Sequence, residues 1–172
     1  MSCNLTSGIS KGCRDNAGGI VEVYIGNYPS GYTAQEWYTE TEGNVSSISG
    51  LTVFTFVPNK NSSNWVENIQ SSVENGTIGY EQVLTLVFSK NEATKRNQIK
   101  LLGQANLSVI IRDRNSKYWL LGAQEGMELN GGTSSSGTVL NDLNGWSITL
   151  QAMEPYPAYE ITAAVVSGLI TD

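Results

Sequence analysis

The segment WSITLQAM, residues 146–153, alternates apolar and polar side chains more regularly than any other part of the chain. Side chains of a β-strand point alternately to its two faces, so this pattern predicts a strand with one buried face. The polar positions carry Ser, Thr and Gln, which suit the solvent-facing side. The apolar face is formed by Trp146, Ile148 and Leu150.

Several other apolar segments have the length and composition of strands, and clusters of turn residues separate them. Asn75-Gly76 is the strongest hairpin signal in the chain, and it lies between two such segments. A turn at 58–64, which includes Pro58, precedes them, so residues 51–89 are predicted to form a three-stranded antiparallel meander. The predicted strands are 20–26, 51–57, 64–74, 80–89, 107–113, 117–123, 146–153 and 161–170.

A single helix is predicted at about 90–105. Ser89 and Glu92 have the spacing of an S-x-x-E capping box, and good helix formers follow them. Ile99, Leu102 and Ala105 can share one apolar face of this helix. The resulting fold class is mainly β, an antiparallel β-sandwich or a small barrel with one flanking α-helix.

The chain is long enough for one domain with its own core, and it contains no internal repeat or linker. The predicted single domain spans 1–172. Residues 1–19 are polar and glycine-rich and form an N-terminal arm. Residues 20–172 form the body of the sandwich or barrel. Within the body, 130–145 is predicted to be a long loop, which is unusual in a compact domain and therefore a candidate contact.

Composition excludes several classes of function. The chain of 172 residues has 10 Lys and Arg against 16 Asp and Glu, a net charge of −6, and no histidine. This charge argues against a surface that grips nucleic-acid phosphates or anionic lipid. Without histidine, neither a Ser-His-Asp nor a Cys-His site can be built, and the commonest metal ligand is missing. We therefore predict no cofactor, no metal and no enzymatic activity, and we find neither a secretory signal nor a membrane span.

Two remaining constellations could carry chemistry. Glu125 and Glu128 could pair as the carboxylates of a glycosidase, although nothing marks them as buried. The four tryptophans could form a stacking platform, but Trp119 and Trp146 lie in strand patterns typical of a core. Protein assembly, which depends on shape, is the better expectation.

The only two cysteines, Cys3 and Cys13, lie in the predicted arm. Free or packed thiols and a late-forming disulfide both remain open, because the loop between the two residues is small enough to close but no export signal is present. We expect both cysteines to brace the arm without reactive chemistry.

Four stretches that together cover nearly the whole chain resemble small structural proteins of tailed bacteriophages. The resemblance is closest to proteins of Bacteroidota phages that are assigned to the tail tube or tail assembly. It rests on overall order of segments and not on a catalytic signature. The stretches are SCNLTSGISKGCRDNAGGIVEVYI (2–25), ENGTIGYEQVLTLVFSKNEATKRNQIKLL (74–102), RDRNSKYWLLGAQEGMELNGGTSSSGT (112–138) and LNDLNGWSITLQAMEPYPAYEI (140–161).

The resemblance implies a non-enzymatic virion protein of the phage tail, assembled in the bacterial cytoplasm. It implies a sandwich or barrel with one flanking helix, of which six copies close into a ring. Inner strands of neighbouring copies would form a β-lined channel, and rings would stack through a long loop or hairpin. The implied partners are further copies, other tail or neck proteins, and genomic DNA that passes without specific binding. An acidic wall suits this role because it repels phosphate.

Three other roles stay open at this stage, namely a neck or tail-completion protein, a capsid decoration or head-fibre protein that binds the shell or host glycans, and an isolated β-domain. For an assembling protein, the expected contacts are the arm 1–19, the turn 58–64 and the loop 130–145. Within the turn, the candidate contact residues are Pro58, Asn59, Lys60 and Asn61. Within the loop, they are Asn130, Gly131, Gly132, Thr133, Ser134, Ser135, Ser136 and Gly137.

Overall fold

The structure is a computed structural model that describes residues 7–32 and 36–171. In this part of the chain, eleven strands and two short helices are formed. The strands are β1 (Ile20–Asn27), β2 (Tyr38–Thr41), β3 (Asn44–Ile48), β4 (Val53–Phe56), β5 (Asn64–Ser72), β6 (Thr77–Ser89), β7 (Leu107–Asp113), β8 (Tyr118–Leu121), β9 (Glu128–Ser135), β10 (Gly145–Glu154) and β11 (Tyr159–Ile161), and the helices are α1 (Ala93–Leu102) and α2 (Ala163–Ser167).

The strands form two sheets that pack face to face as a sandwich. The seven-stranded sheet has the order β2-β3-β11-β8-β7-β1-β4, and the four-stranded sheet has the order β5-β6-β10-β9. Among the pairs of named strands in the described residues, all are antiparallel except β11 with β3. The predicted mainly β class is confirmed. Of the two predicted architectures, the protein has the sandwich, since neither sheet closes into a barrel in the described part of the chain. The core between the sheets includes Val23, Ile25, Val109 and Ile111 from one sheet and Leu84, Leu86, Ile148 and Leu150 from the other.

The seven-stranded sheet is buried on its second face as well. There it packs against α2 and connecting segments in a second apolar cluster that contains Trp37, Leu51 and Val166. The central strand β7 consequently has five successive buried residues, from Leu107 to Ile111. Four of these five residues are apolar, as expected of a strand with two covered faces. The exception, Ser108, donates its hydroxyl to the Gly122 carbonyl.

Helix α1 closes one open side of the sandwich. Leu102 is buried in the core between the sheets, and Ile99 and Ala105 pack against it, as the predicted apolar face requires. The predicted capping box is wrong. Glu92 is itself the N-cap residue and makes no side-chain cap hydrogen bond, while Ser89 ends β6 and donates its hydroxyl to Asn59.

The predicted meander over 51–89 is also wrong. β4 pairs with β1 in the seven-stranded sheet, whereas β5 and β6 form a hairpin in the other sheet. The turn at 58–64 therefore carries the chain from one sheet to the other. Local sequence marks where a strand ends, but its partner depends on residues far away in the chain.

The prediction that 130–145 is a single long loop is wrong, because its first part is a strand. Residues 130–135 belong to β9, which pairs with β10, and only 136–144 form a loop. The strand escapes prediction because it lies at a sheet edge, where Gly, Ser and Thr side chains stay exposed and show no apolar alternation. Similarly, the predicted strand 161–170 is wrong, since β11 ends at Ile161 and the following Ala-rich residues form α2.

The predicted hairpin at Asn75-Gly76 is confirmed. β5 and β6 pair from Asn64↔Thr85 to Ser72↔Thr77, and four residues connect them. Gly76 has φ +63°, in the left-handed region that residues with a Cβ disfavour. The hairpin extends beyond β10, whose pairing with β6 stops at Tyr80.

We expect Gly76→Ala to lower the free energy of unfolding by about 1 kcal/mol, because the left-handed backbone strains a residue with a Cβ. No atom lies within 4 Å of the added Cβ, so the cost is conformational and not steric. Urea denaturation measures it. Gly76→Asn is the matched control and should cost less, since asparagine tolerates this region; equal losses would contradict the explanation.

Candidate assembly surface

The outer face of the four-stranded sheet is a regular surface outside the two cores. Its outward side chains alternate with the core residues along β5, β6 and β10. In the described part of the chain, these outward residues are exposed or half-buried and belong to neither apolar core. They include Val66, Asn68, Glu81, Val83, Thr85, Val87, Ser147, Thr149 and Gln151.

A row of polar side chains crosses all four strands on this face. Glu81 on β6 accepts hydrogen bonds from Asn68 and Gln70 on β5, each at 3.3 Å, and from Gln151 on β10 at 2.6 Å. Asn130 on β9 donates to the Gln151 side chain. The row links all four strands through side-chain hydrogen bonds on the outer face.

The four strands contain no cationic side chain. β5, β6, β9 and β10 carry four glutamates, and a fifth, Glu74, lies in the β5–β6 turn. Of these residues, Glu81 projects from the outer face. The surface therefore offers a phosphate group no cationic partner, and its fixed charge is negative. The glutamates on the strands are Glu67, Glu81, Glu128 and Glu154.

Both edges of this sheet are open in the described part of the chain. β5 pairs only with β6, and β9 pairs only with β10. Neither β5 nor β9 contains a lysine or proline, which commonly protect exposed edges. A register shift lies at the start of β9, between the partners Thr149 and Leu150, and pairing is regular from Gly131 to Ser135. In the described part of the chain, each edge strand therefore has a strand partner on one side only.

The structure distributes the predicted contact residues over three places. Asn130 to Ser135 lie on the open edge strand β9, and Ser136 and Gly137 begin the loop after it. In the other predicted contact, Pro58 is buried and Asn59 bonds Val87 and Ser89. Lys60 and Asn61 remain exposed beside them.

Of the predicted arm, residues 7–19 are exposed and have no helix or strand. Asn115, in the β7–β8 turn, anchors the end of the arm through hydrogen bonds with Asn16 and Ala17. Cys13 is a free, exposed cysteine. Cys3 lies outside the described residues.

Two buried polar residues join the sheet to the segment that follows β8. Gln82 is 1% exposed; its side chain accepts a hydrogen bond from the Gly122 N–H and donates one to Glu67. Glu154 is 2% exposed and accepts the N–H groups of Gln124 and Glu125 at 3.0 and 3.1 Å. These bonds position the four-stranded sheet on the seven-stranded one.

Sequence reasoning missed both residues, although the alternation contained the signal. Gln82 lies in phase with the core residues Leu84 and Leu86 on β6, and Glu154 lies in phase with Leu150 on β10. A polar residue on the apolar face of a strand must find buried hydrogen-bond partners.

Burial raises the pKa of the Glu154 carboxyl above its ordinary value of 4.5, against the opposing effect of the backbone N–H donors. A raised folded-state pKa means that this carboxyl contributes most to stability below pH 4.5 and loses that contribution as pH rises through the folded-state value. We therefore expect the free energy of unfolding of the wild type, relative to Glu154→Gln, to fall as the pH rises above 4.5. Urea denaturation across this range tests it, and a constant or rising difference would contradict it.

No helix among residues 7–32 and 36–171 is long and apolar enough to cross a membrane. The same residues contain no cluster of three or more acidic or cysteine side chains arranged to hold a metal ion. Compared with models of protein families, with curated proteins and with solved structures, the chain matches none.

Proposed function

We propose that this chain is a non-enzymatic structural protein of a phage virion, a tail tube subunit whose four-stranded sheet lines a channel for DNA. One observation carries the proposal: in the described part of the chain, this sheet combines two open edges with strands that contain no Lys or Arg. Open edges suit assembly into a larger sheet. A cation-free face suits contact with a polyanion that must move past without binding.

Ring closure would use the edges of β5 and β9. Pairing the β5 edge of one copy with the β9 edge of the next is a head-to-tail contact, and such contacts form closed rings when the rotation between copies allows it. Every copy then has both edges covered. The exposed backbone groups that would otherwise favour aggregation become the bonds between subunits.

The dimensions suit a DNA channel. Four strands spaced about 4.8 Å apart span about 19 Å, so six copies would give a circumference of about 115 Å. The backbone of such a ring is about 37 Å across before strand tilt widens it, and inward side chains narrow it by about 5 Å on each side. A duplex fits through this opening with a hydrated wall around it.

The seven-stranded sheet would form the outside of the ring. Its two buried faces give each subunit a rigid body that holds the inner sheet in place. Rigidity matters here, because a small change of angle in each subunit would prevent the ring from closing.

Size-exclusion chromatography with light scattering, followed by negative-stain imaging, tests the proposal. We expect closed rings of about six copies, or stacks of them, with a hole at the centre. Single rings that never stack would instead favour a neck protein. A stable monomer, dimer or trimer that forms no ring at high concentration would contradict the tube and favour a decoration or fibre role.

A further inference from the structure

The charges of this protein are separated along the length of the sandwich. β6 runs from the β5–β6 turn at one end to α1 at the other, and β10 runs back in the opposite direction. We call the first the turn end, formed by residues 69–81, 121–129 and 150–158. We call the second the helix end, formed by 58–61, 89–96, 112–118 and 136–145.

The turn end is acidic. Its three segments contain no Lys or Arg. Glu74, Glu125 and Glu128 are exposed there, and none of them forms an ion pair with any described residue. The hairpin that carries Glu74 projects beyond the end of β10, so the Glu74 carboxylate lies at the outermost part of this end.

The helix end is basic. Its cations are Lys60, Lys90, Lys95, Arg96, Arg112, Arg114 and Lys117.

Acids at the helix end are engaged within the molecule. Glu92 pairs with Lys90 at 2.6 Å and lies 3.9 Å from Lys95. Asp142 accepts the N–H groups of Thr138 and Val139, which also lowers its pKa. Asp113 accepts the N–H groups of two residues in its own turn.

Cations there remain in excess. In the described part of the chain, Lys60, Arg96 and Arg114 form no ion pair with an acid. The Arg114 guanidinium donates a hydrogen bond to the neutral side chain of Asn61, and the Arg96 guanidinium lies over the Trp146 ring.

Each end also exposes apolar side chains. At the turn end, Val73 is 94% exposed and Ile78 is 57% exposed. At the helix end, the loop after β9 exposes Leu140 completely and Val139 to 66%. A docking interface typically combines exposed apolar residues with charges that are negative on one surface and positive on the other.

We infer that the turn end of one copy docks on the helix end of a second copy. The occupant is a second copy because the two complementary surfaces belong to the same chain and lie at its opposite ends. A contact between two different ends of identical molecules repeats without limit along one direction. This inference rests on the proposed function in one respect: the units that stack would be rings, and their acidic channels would align.

Two charge-reversed variants test the contact. Glu74→Lys/Glu125→Lys removes most of the negative charge of the turn end, and Lys60→Glu/Lys90→Glu removes the excess positive charge of the helix end. Sedimentation velocity at 50 and 500 mM salt measures end-to-end association. We expect each variant alone to associate at least about tenfold more weakly than the wild type. An equimolar mixture should recover association, because the unaltered helix end of one variant meets the unaltered turn end of the other.

Glu40→Lys/Glu42→Lys is the matched control, since it makes the same change of net charge on the β2–β3 hairpin. It should associate as the wild type does, and its melting temperature and those of the variants should agree. A mixture that associates no better than its separate components would overturn the end contact. The end contact would also be overturned if Glu40→Lys/Glu42→Lys weakened association as much as Glu74→Lys/Glu125→Lys does.

Failure of this inference and failure of the proposed function give different images. If only the end contact is wrong, charge-reversed variants still form rings, and those rings stack as the wild type does. If the ring is wrong, no closed ring appears in any sample, while the mixing experiment still reports whether opposite ends bind.

Discussion

One of the two variants Thr133→Pro and Ser134→Pro should abolish ring formation without unfolding the protein. Both positions lie on β9, the edge strand that pairs only with β10 in the described part of the chain. N–H groups of successive strand residues point to opposite edges, and proline has none. One variant, the inward variant, therefore loses a donor to β10. The other, the outward variant, loses only a donor that points to the open edge of the sheet.

The outward variant should keep a melting temperature within a few degrees of the wild type and elute at the mass of one chain, 18.6 kDa, instead of about six times that mass. The inward variant should instead show a clear loss of stability. Chromatography with light scattering, together with thermal denaturation, separates the two effects.

Alanine at the same positions is the matched control, because it removes each side chain but keeps the N–H group. The Ser134 control also removes a hydroxyl that Asn91 contacts at 3.0 Å, so the effect of that contact is measured separately. Rings that persist in both proline variants would show that β9 is not an assembly edge.

Gln82→Leu should lower the free energy of unfolding by about 2–4 kcal/mol. Leucine suits the apolar surroundings, but it leaves the Gly122 N–H without its 3.0 Å acceptor and removes the donor that lies 3.2 Å from Glu67. An unpaired buried polar group costs more than the hydrogen bond itself is worth. Urea denaturation measures the loss, which corresponds to a fall in melting temperature of about 4–16 °C for a chain of this size.

Gln70→Leu is the control for this change, since Gln70 is exposed on the outer face and its bond to Glu81 is 3.3 Å long. We expect it to change stability by less than about 0.5 kcal/mol. Equal effects of the two substitutions would mean that Gln82 does not join the two layers. Because the bridge determines how the four-stranded sheet sits on the other sheet, a folded Gln82→Leu protein should also form less regular rings.

Much of the secondary structure could be predicted from short-range patterns. The alternation in 146–153 predicts β10, the apolar run of 107–113 predicts β7, and Asn75-Gly76 predicts the hairpin that the structure confirms. In each case the signal depends on residues within a few positions of one another. The same is true of the apolar face of α1.

Sheet membership could not be predicted in this way. β4 lies close to β5 in sequence but pairs with β1, and β9 forms from a glycine- and serine-rich segment with no apolar pattern. Such choices depend on the summed burial and hydrogen bonding of strands that are distant in the chain. The sequence led us to propose 130–135 as assembly contacts, but only the structure shows that these residues form an edge strand.

By itself, the sequence determined that this protein is mainly β, carries one apolar-faced helix near residue 100, is acidic, and has no histidine for catalysis or metal binding. These properties follow from composition and from alternation along single strands. Only the tertiary structure decided that four strands without a cation share one sheet, that both edges of this sheet are open in the described part of the chain, and that acidic and basic groups collect at opposite ends. Those features arise because packing the two sheets brings residues from distant segments together, and no local pattern encodes which segments will meet.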